Sequence, residues 1–271
     1  MNSTLEGGAP RTREPMFFIP PVVLALVVAL LAIQGALQFF DETARDQIYL
    51  DWGFIPTRFT AWIAPQWIAE LAGRAASDPD SLAKARLIRD MGVLDSGPRF
   101  ATFLSYAWLH GSWAHVGINS IWIVAFGPPV ARRFGIARFL AFFVFTSLAG
   151  AAAHWLATPL EPFPMIGASA ADSGLMAAAA RFMFQPGVRL ANAGEVHARA
   201  STLRELLTDR RALIFIAIWM VTNFMFGAGA TELGASDAPV AWVAHVGGFL
   251  AGLFGFGLFD RGDRRGAEFR G

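Results

Sequence analysis

Residues 101–127 read ATFLSYAWLHGSWAHVGINSIWIVAFG, a stretch without Asp, Glu, Lys or Arg. At about 1.5 Å per helical residue it is long enough to cross the roughly 30 Å of a bilayer's hydrocarbon. Yet it carries His110, Ser112, His115 and Asn119. Polar side chains inside hydrocarbon are costly, so a membrane segment that keeps them usually needs them. Two further apolar runs hold comparable clusters, Gly167-Ala168-Ser169-Ala170 and Ala244-His245-Val246-Gly247-Gly248. Together the three supply a hydroxyl, an imidazole and extra hydrogen-bond donors, the parts of a serine hydrolase.

Composition points the same way. Of 271 residues, 55% are hydrophobic and only 16% charged, with a mean hydropathy of +0.44. Soluble domains carry about 25% charge, so the balance is that of a polytopic membrane protein. The net charge of +1 and the lack of a basic, aromatic-interleaved stripe give no reason to expect nucleic acid. Without cysteine, disulfides, thiol nucleophiles and thiolate-held metals are excluded. None of the five histidines sits in a His-Glu-x-x-His motif, so neither metal nor cofactor is expected.

Six runs are long enough to span, at about 17–38, 101–127, 137–157, 165–184, 212–228 and 239–259. The expected fold is an all-α bundle of six transmembrane helices over 17–260. Short tails at 1–16 and 261–271 flank it. The first run is too long for a signal-peptide core and reads as a retained span. Arginines cluster after span two (Arg132, Arg133, Arg138), after span four and at the C-terminus, whereas 158–164 and 229–238 contain no Lys or Arg. The positive-inside rule then makes the protein multi-pass in the plasma (inner) membrane with both termini cytoplasmic. The segment 39–100 lies outside. Its Phe54, Phe59, Trp62, Ile63 and Trp67 alternate with Arg58, Gln66 and Glu70, predicting short helices lying in the interface, with a loop folded over the bundle as the other reading. A turn and helix start are expected near Asp78-Pro79-Asp80-Ser81.

With the N-terminus inside, spans two, four and six all run inward from the outer face. Ser169 and His245 fall near the starts of their spans, and His115 and Asn119 can reach the same depth. A serine hydroxyl needs a neighbouring base, usually neutral histidine near pH 7. The tetrahedral intermediate needs donors aimed at its oxyanion, each worth about 3–4 kcal/mol. His115 and Asn119, at i and i+4, share a helix face and can supply them, as can the Ser169 N–H near a helix start. Ala244, Gly248 and Gly252 form a small-residue stripe that permits close approach of span six to span four, where Gly167, Ala170, Ser173 and Gly174 are also small.

As an ordered set over residues 97–257, these motifs resemble the rhomboid intramembrane serine proteases. The resemblance rests on His110, His115 and Asn119 in His-x-x-x-x-His-x-x-x-Asn, on Arg132-Arg133-Phe134-Gly135, on Gly167-Ala168-Ser169 with Ser173-Gly174, and on Ala244-His245 with the glycines after it. It implies that Ser169 is the nucleophile, His245 the general base of a Ser–His dyad, and His115 with Asn119 the oxyanion helpers. His110 takes a structural role supporting the outer loop. Substrates would be transmembrane proteins embedded in the lipid bilayer, cut in or near their spans, with the site opening to the outer face between spans two and five. The chain departs from the family pattern in three places. Residue 170 is alanine where Gly-x-Ser-Gly is usual, Ser173 stands where some members stack a tyrosine on the histidine, and the outer-loop Trp-Arg pair is not evident, Arg99 being the nearest candidate and offset from it.

Asp172 is the unexpected residue, since a carboxylate at a helix centre costs about 2.5–3.5 kcal/mol. One reading makes it a polar anchor bonded to span two or five; the other makes it a third member orienting His245. His154 reads as interfacial, His197 as solvated, and Asn223 as an interhelical hydrogen bond. The alternative to a protease is a catalytically inactive rhomboid-like protein that binds membrane clients. A small transporter fits less well, because the polar set lies near one surface and paired broken helices are missing.

Overall fold

A computed structural model describes residues 19–185, 199–228 and 241–260. The two tails, His197 and the connection 229–238 lie outside the described residues. Twelve α-helices follow one another, and no strand forms among the described residues. They are α1 (Pro21–Leu37), α2 (Glu42–Trp52), α3 (Pro56–Ile63), α4 (Pro65–Arg74), α5 (Pro79–Asp90), α6 (Thr102–Ser105), α7 (Trp113–Phe134), α8 (Ile136–Ala157), α9 (Ser169–Met183), α10 (Leu203–Leu206), α11 (Arg210–Ala228) and α12 (Trp242–Phe259).

Each expected span contains one long helix, α1, α7, α8, α9, α11 and α12. By length and composition, α7, α8 and α12 are able to cross a membrane, and α1 is a shorter apolar helix. The starts of two helices differ from the sequence reading. The run 101–127 does not begin as a span: Ser112 is extended and its hydroxyl accepts the His115 N–H at 3.1 Å, capping a helix that starts only at Trp113. The same helix continues through Pro128 and Pro129 to Phe134, and the turn falls on Gly135 at φ +76°. The fourth run likewise does not begin as a helix: Met165 pairs with Phe54, Gly167 lies at φ +115° and Ala168 turns at φ −79°, ψ 0°, so α9 begins at Ser169.

The centre of the bundle is α9, whose residues from Ala170 to Ala180 are all buried. A helix apolar on every face belongs in the interior, and its small side chains let neighbours approach to backbone contact. A methyl built on Gly248 would lie 2.0 Å from the Ala170 carbonyl, and one on Gly252 2.4 Å from that of Gly174. The two contacts step forward together along both helices, so α9 and α12 run parallel. Across the other side, Gly150 faces Ala170 and Thr146 faces Gly174, a reversed order that makes α8 antiparallel to α9. Ile118 and Ile121 on α7, Ile218 and Val221 on α11, and Phe254 and Leu258 on α12 are exposed, an apolar outer surface.

The outer segment divides between its two readings. Trp62, Ile63 and Trp67 are exposed, whereas Phe54 and Phe59 are fully buried against Phe103, with Phe59 also against Trp155. Arg58, placed by the sequence pattern on a polar face, is buried and donates to the carbonyls of Leu50 and Val93. Residues 54–60 are therefore a cap folded over the bundle, because enough aromatic surface is available there to bury and backbone carbonyls satisfy the guanidinium. Phe54 and Met165 exchange both backbone hydrogen bonds, at 3.0 and 2.9 Å. Thr57 and Thr60 donate to the carbonyls of Glu161 and Pro159 at 2.8 and 2.6 Å. The cap thus grips the loop that leads into α9. At the expected helix start, Asp78 accepts the N–H groups of Asp80 and Ser81.

Candidate active site

Ser169 is the first residue of α9 and partly exposed. Its approach is set two residues earlier. The Gly167 N–H donates to the Tyr106 carbonyl at 2.9 Å, and a methyl on Gly167 would lie 2.6 Å from His115 Nε2. Positive φ and this close approach both call for glycine. His115, in the first turn of α7, is thereby laid against the backbone that presents Ser169. The Ser169 N–H is one of the donors a helix start leaves without an intrahelical partner.

Asn119 lies one turn further along α7 and is buried, as is His110. The surrounding groups fix the amide's orientation. Its oxygen accepts from His110 Nε2 at 2.9 Å and from the Ala168 N–H at 3.2 Å, while its nitrogen donates to Asp172 Oδ2 at 3.2 Å. His110 also sets its ring edge-on to His115 at 4.9 Å, and its carbonyl accepts from the Tyr49 hydroxyl at 2.9 Å. Burial raises the Tyr49 phenol above its ordinary range, which keeps that donor protonated. His110, Asn119 and Asp172 therefore tie the outer segment, the start of α7 and α9 into one network. Asp172 meets Asn119 of α7, and its Oδ1 has no hydrogen-bond partner among the described residues.

His245 lies in the second turn's start on α12, three residues before Gly248. Parallel packing of α12 on α9 brings it to the same end of the bundle as Ser169. The Ser169 hydroxyl makes no hydrogen bond among the described residues; apo sites often hold such pairs loosely. Ser173 turns back on its own helix, donating to the Ser169 carbonyl at 2.8 Å. The methyl of Ala170 is accommodated by Gly150 of α8, where a Cβ would approach it to 2.4 Å. Asn223 does form an interhelical hydrogen bond, and its partner is His245 itself: Oδ1 lies 2.6 Å from Nδ1. His154, read as interfacial, is buried beside the Thr158 hydroxyl at 3.2 Å. Arg99 pairs with Asp51 at 3.0 Å in the outer segment.

The sequence reading passed over Tyr49 and Tyr106. Their scarcity was a signal, since they are the chain's two tyrosines: the Tyr49 hydroxyl holds the His110 carbonyl, and the Tyr106 carbonyl holds the Gly167 N–H. Among the described residues no group of three His, Cys, Asp or Glu side chains is placed to hold a metal ion.

A buried polar network under the cap of residues 54–60, in a bundle of apolar helices with a serine and a histidine at one end, defines a class of integral membrane protein with an enclosed polar site. Residues 98–261 match the family profile described as the Rhomboid domain. The chain belongs to the rhomboid family. It is also similar to RHOMBOID-like protein 5 of Arabidopsis thaliana, with 28% identity over 187 residues, 64% of this chain and 50% of that protein. The alignment thus spans half the length of that relative.

Proposed function

We propose that this chain is an intramembrane serine endopeptidase that cuts transmembrane proteins in or near their spans. The observation that supports this reading is the backbone contact of α12 with α9 at Gly248 and Ala170, which puts His245 and Ser169 at the same end of two parallel helices. In this reading His245 Nε2 takes the Ser169 proton as the hydroxyl oxygen attacks the scissile carbonyl carbon. The oxyanion so formed is met by the Ser169 N–H and by His115, held against Gly167. The proton then passes from His245 to the leaving amine, and water repeats the sequence on the acyl-enzyme. Asn119, expected as a second oxyanion helper, has its amide nitrogen on Asp172 and contributes instead by fixing the Ala168 N–H and the α7–α9 spacing, with His110 and Asp172 as its supports. Gly167, Gly248 and Gly252 provide the close approaches, and the Ser173 hydroxyl bonds back to the Ser169 carbonyl one turn earlier on α9.

The bundle would cross the plasma (inner) membrane six times with both termini cytoplasmic, its site opening to the outer face. Water and substrate would enter between α7 and α11 beneath the cap.

A fluorophosphonate probe applied to the full chain in detergent tests the proposal. Labelling of wild type, with loss in Ser169→Ala and His245→Ala, is expected, together with cleavage of a transmembrane reporter by wild type alone. A folded wild-type protein that takes no label and still binds the reporter would overturn the enzyme reading in favour of an inactive, client-binding protein.

A further inference from the structure

Asn223 sits on α11, buried, with its side chain across the seam to α12. Two aromatic contacts bracket it and fix the register of that seam. Trp219 stacks on Phe249 one turn deeper, with centroids 4.1 Å apart and planes within 18°, and Phe224 meets Trp242 edge-on at 6.4 Å toward the outer end. Asn223 is therefore held in place rather than free to choose a partner.

The chemistry of its two contacts fixes protons. Asn223 Nδ2 faces the Trp242 carbonyl at 3.4 Å, and a carbonyl only accepts. The amide oxygen is thus the atom at 2.6 Å from His245 Nδ1, and it too only accepts. His245 Nδ1 must carry the hydrogen. The neutral ring then has its lone pair on Nε2, the nitrogen a general base presents to a serine hydroxyl. When the ring becomes imidazolium during acyl transfer, the same Nδ1–H bond becomes charge-assisted and strengthens.

We infer that Asn223 is a positioning residue for His245, selecting the Nδ1–H tautomer and holding the ring so that Nε2 meets Ser169. This inference rests on the Ser169–His245 reading above. Asp172, the other residue considered for that duty, is engaged by Asn119 instead. The general base is accordingly oriented from α11, a helix that borders the proposed route of entry, and not from the central helix that carries the nucleophile.

The test uses the full chain in detergent micelles, comparing wild type, Asn223→Leu and Asn223→Asp. Fluorophosphonate labelling rates at Ser169 are measured beside 15N NMR of labelled histidine, with His245 assigned by its loss in His245→Asn. Wild type should show His245 protonated at Nδ1. Asn223→Leu should move the ring toward the Nε2–H form and slow labelling by about 10- to 100-fold, less than loss of a charged orienting group costs. Asn223→Asp restores an acceptor, so both the tautomer and most of the rate should return. Wild-type labelling at a rate unchanged in Asn223→Leu would overturn the inference, as would equal loss in both variants with the tautomer unmoved, which marks a purely structural tether. If Asn223→Leu fails to fold, an Nε2–H ring in the wild type overturns it alone. A wild type that takes no label removes the serine-enzyme reading, a separate outcome from any of these.

Discussion

The residue that most needed an account was Asp172, a carboxyl buried in the central helix. In the structure Asn119 donates to it, and Asn119 in turn accepts from His110 and from the Ala168 N–H. Each of the three side chains thus makes at least one hydrogen bond within the network, although Asp172 Oδ1 and His110 Nδ1 have no partner among the described residues. Asp172 meets Asn119, while the side-chain contact of His245 is with Asn223. Asn at 172 retains an acceptor for Asn119, so Asp172→Asn should label at Ser169 within about threefold of wild type, with at most about 1–2 kcal/mol of stability lost as one neutral hydrogen bond is rearranged. Loss of a triad member lowers rates by orders of magnitude instead. A folded Asp172→Asn protein that no longer takes fluorophosphonate would return Asp172 to the catalytic set.

At the scale of elements, the long apolar runs were legible because hydropathy over about twenty residues is a strong signal. Their boundaries were not, because caps and glycines decide where helices begin. Ser112 and Gly167 move two helix starts inward, and it is this trimming that leaves His110 and residues 165–168 outside the helices, where His110 and the Ala168 N–H meet on Asn119. The cap was half legible: Trp62, Ile63 and Trp67 are exposed, but period alone could not tell that Phe54, Arg58 and Phe59 face inward. Three motifs on alternate spans were visible in sequence; the partner of His245 was not, since a lone asparagine in an apolar helix has no periodic signature. Ala170 stands where the family pattern has glycine, and Gly150 is its answer on the facing helix. Gly150→Ala should cost about 1–3 kcal/mol, as a methyl is forced into a filled space. Ala170→Gly alone should cost about 0.5–1 kcal/mol through helix propensity. Together they should recover part of the loss, but not all, because the new Cβ still meets the Ala244 carbonyl at 2.9 Å and the Tyr106 hydroxyl at 3.3 Å. Thermal unfolding of the three variants closes the cycle; strict additivity would mean that Ala170 and Gly150 do not share that space.

The whole molecule is fastened at two ends by different chemistry. At the site end, threonine hydroxyls, a backbone bridge and stacked aromatics hold the cap on the loop before Ser169. At the other end a buried ion pair closes the bundle: Arg133 of α7 grips Asp260, just beyond α12, through bonds of 2.9 and 2.8 Å. The same guanidinium lies over the rings of Phe182 and Phe256, at 5.0 and 5.4 Å, so α9 is drawn into the clamp. Arg181 adds a bond to the Leu253 carbonyl at 2.8 Å. Removing one partner of a buried pair strands the other charge, a loss of about 3–5 kcal/mol. Arg133→Gln should therefore unfold at markedly lower temperature in detergent, and Asp260→Asn should follow in the same direction. The clamp is at the far end of α7 and α12 from His115 and His245, whose helix ends are set independently by Ser112 and by the Asn223 seam. Labelling of Ser169 per folded molecule should then stay at the wild-type rate in both variants. A labelling rate that falls while the unfolding temperature holds would show that the clamp acts on the site rather than on the bundle, and would join the two ends into one cooperative device.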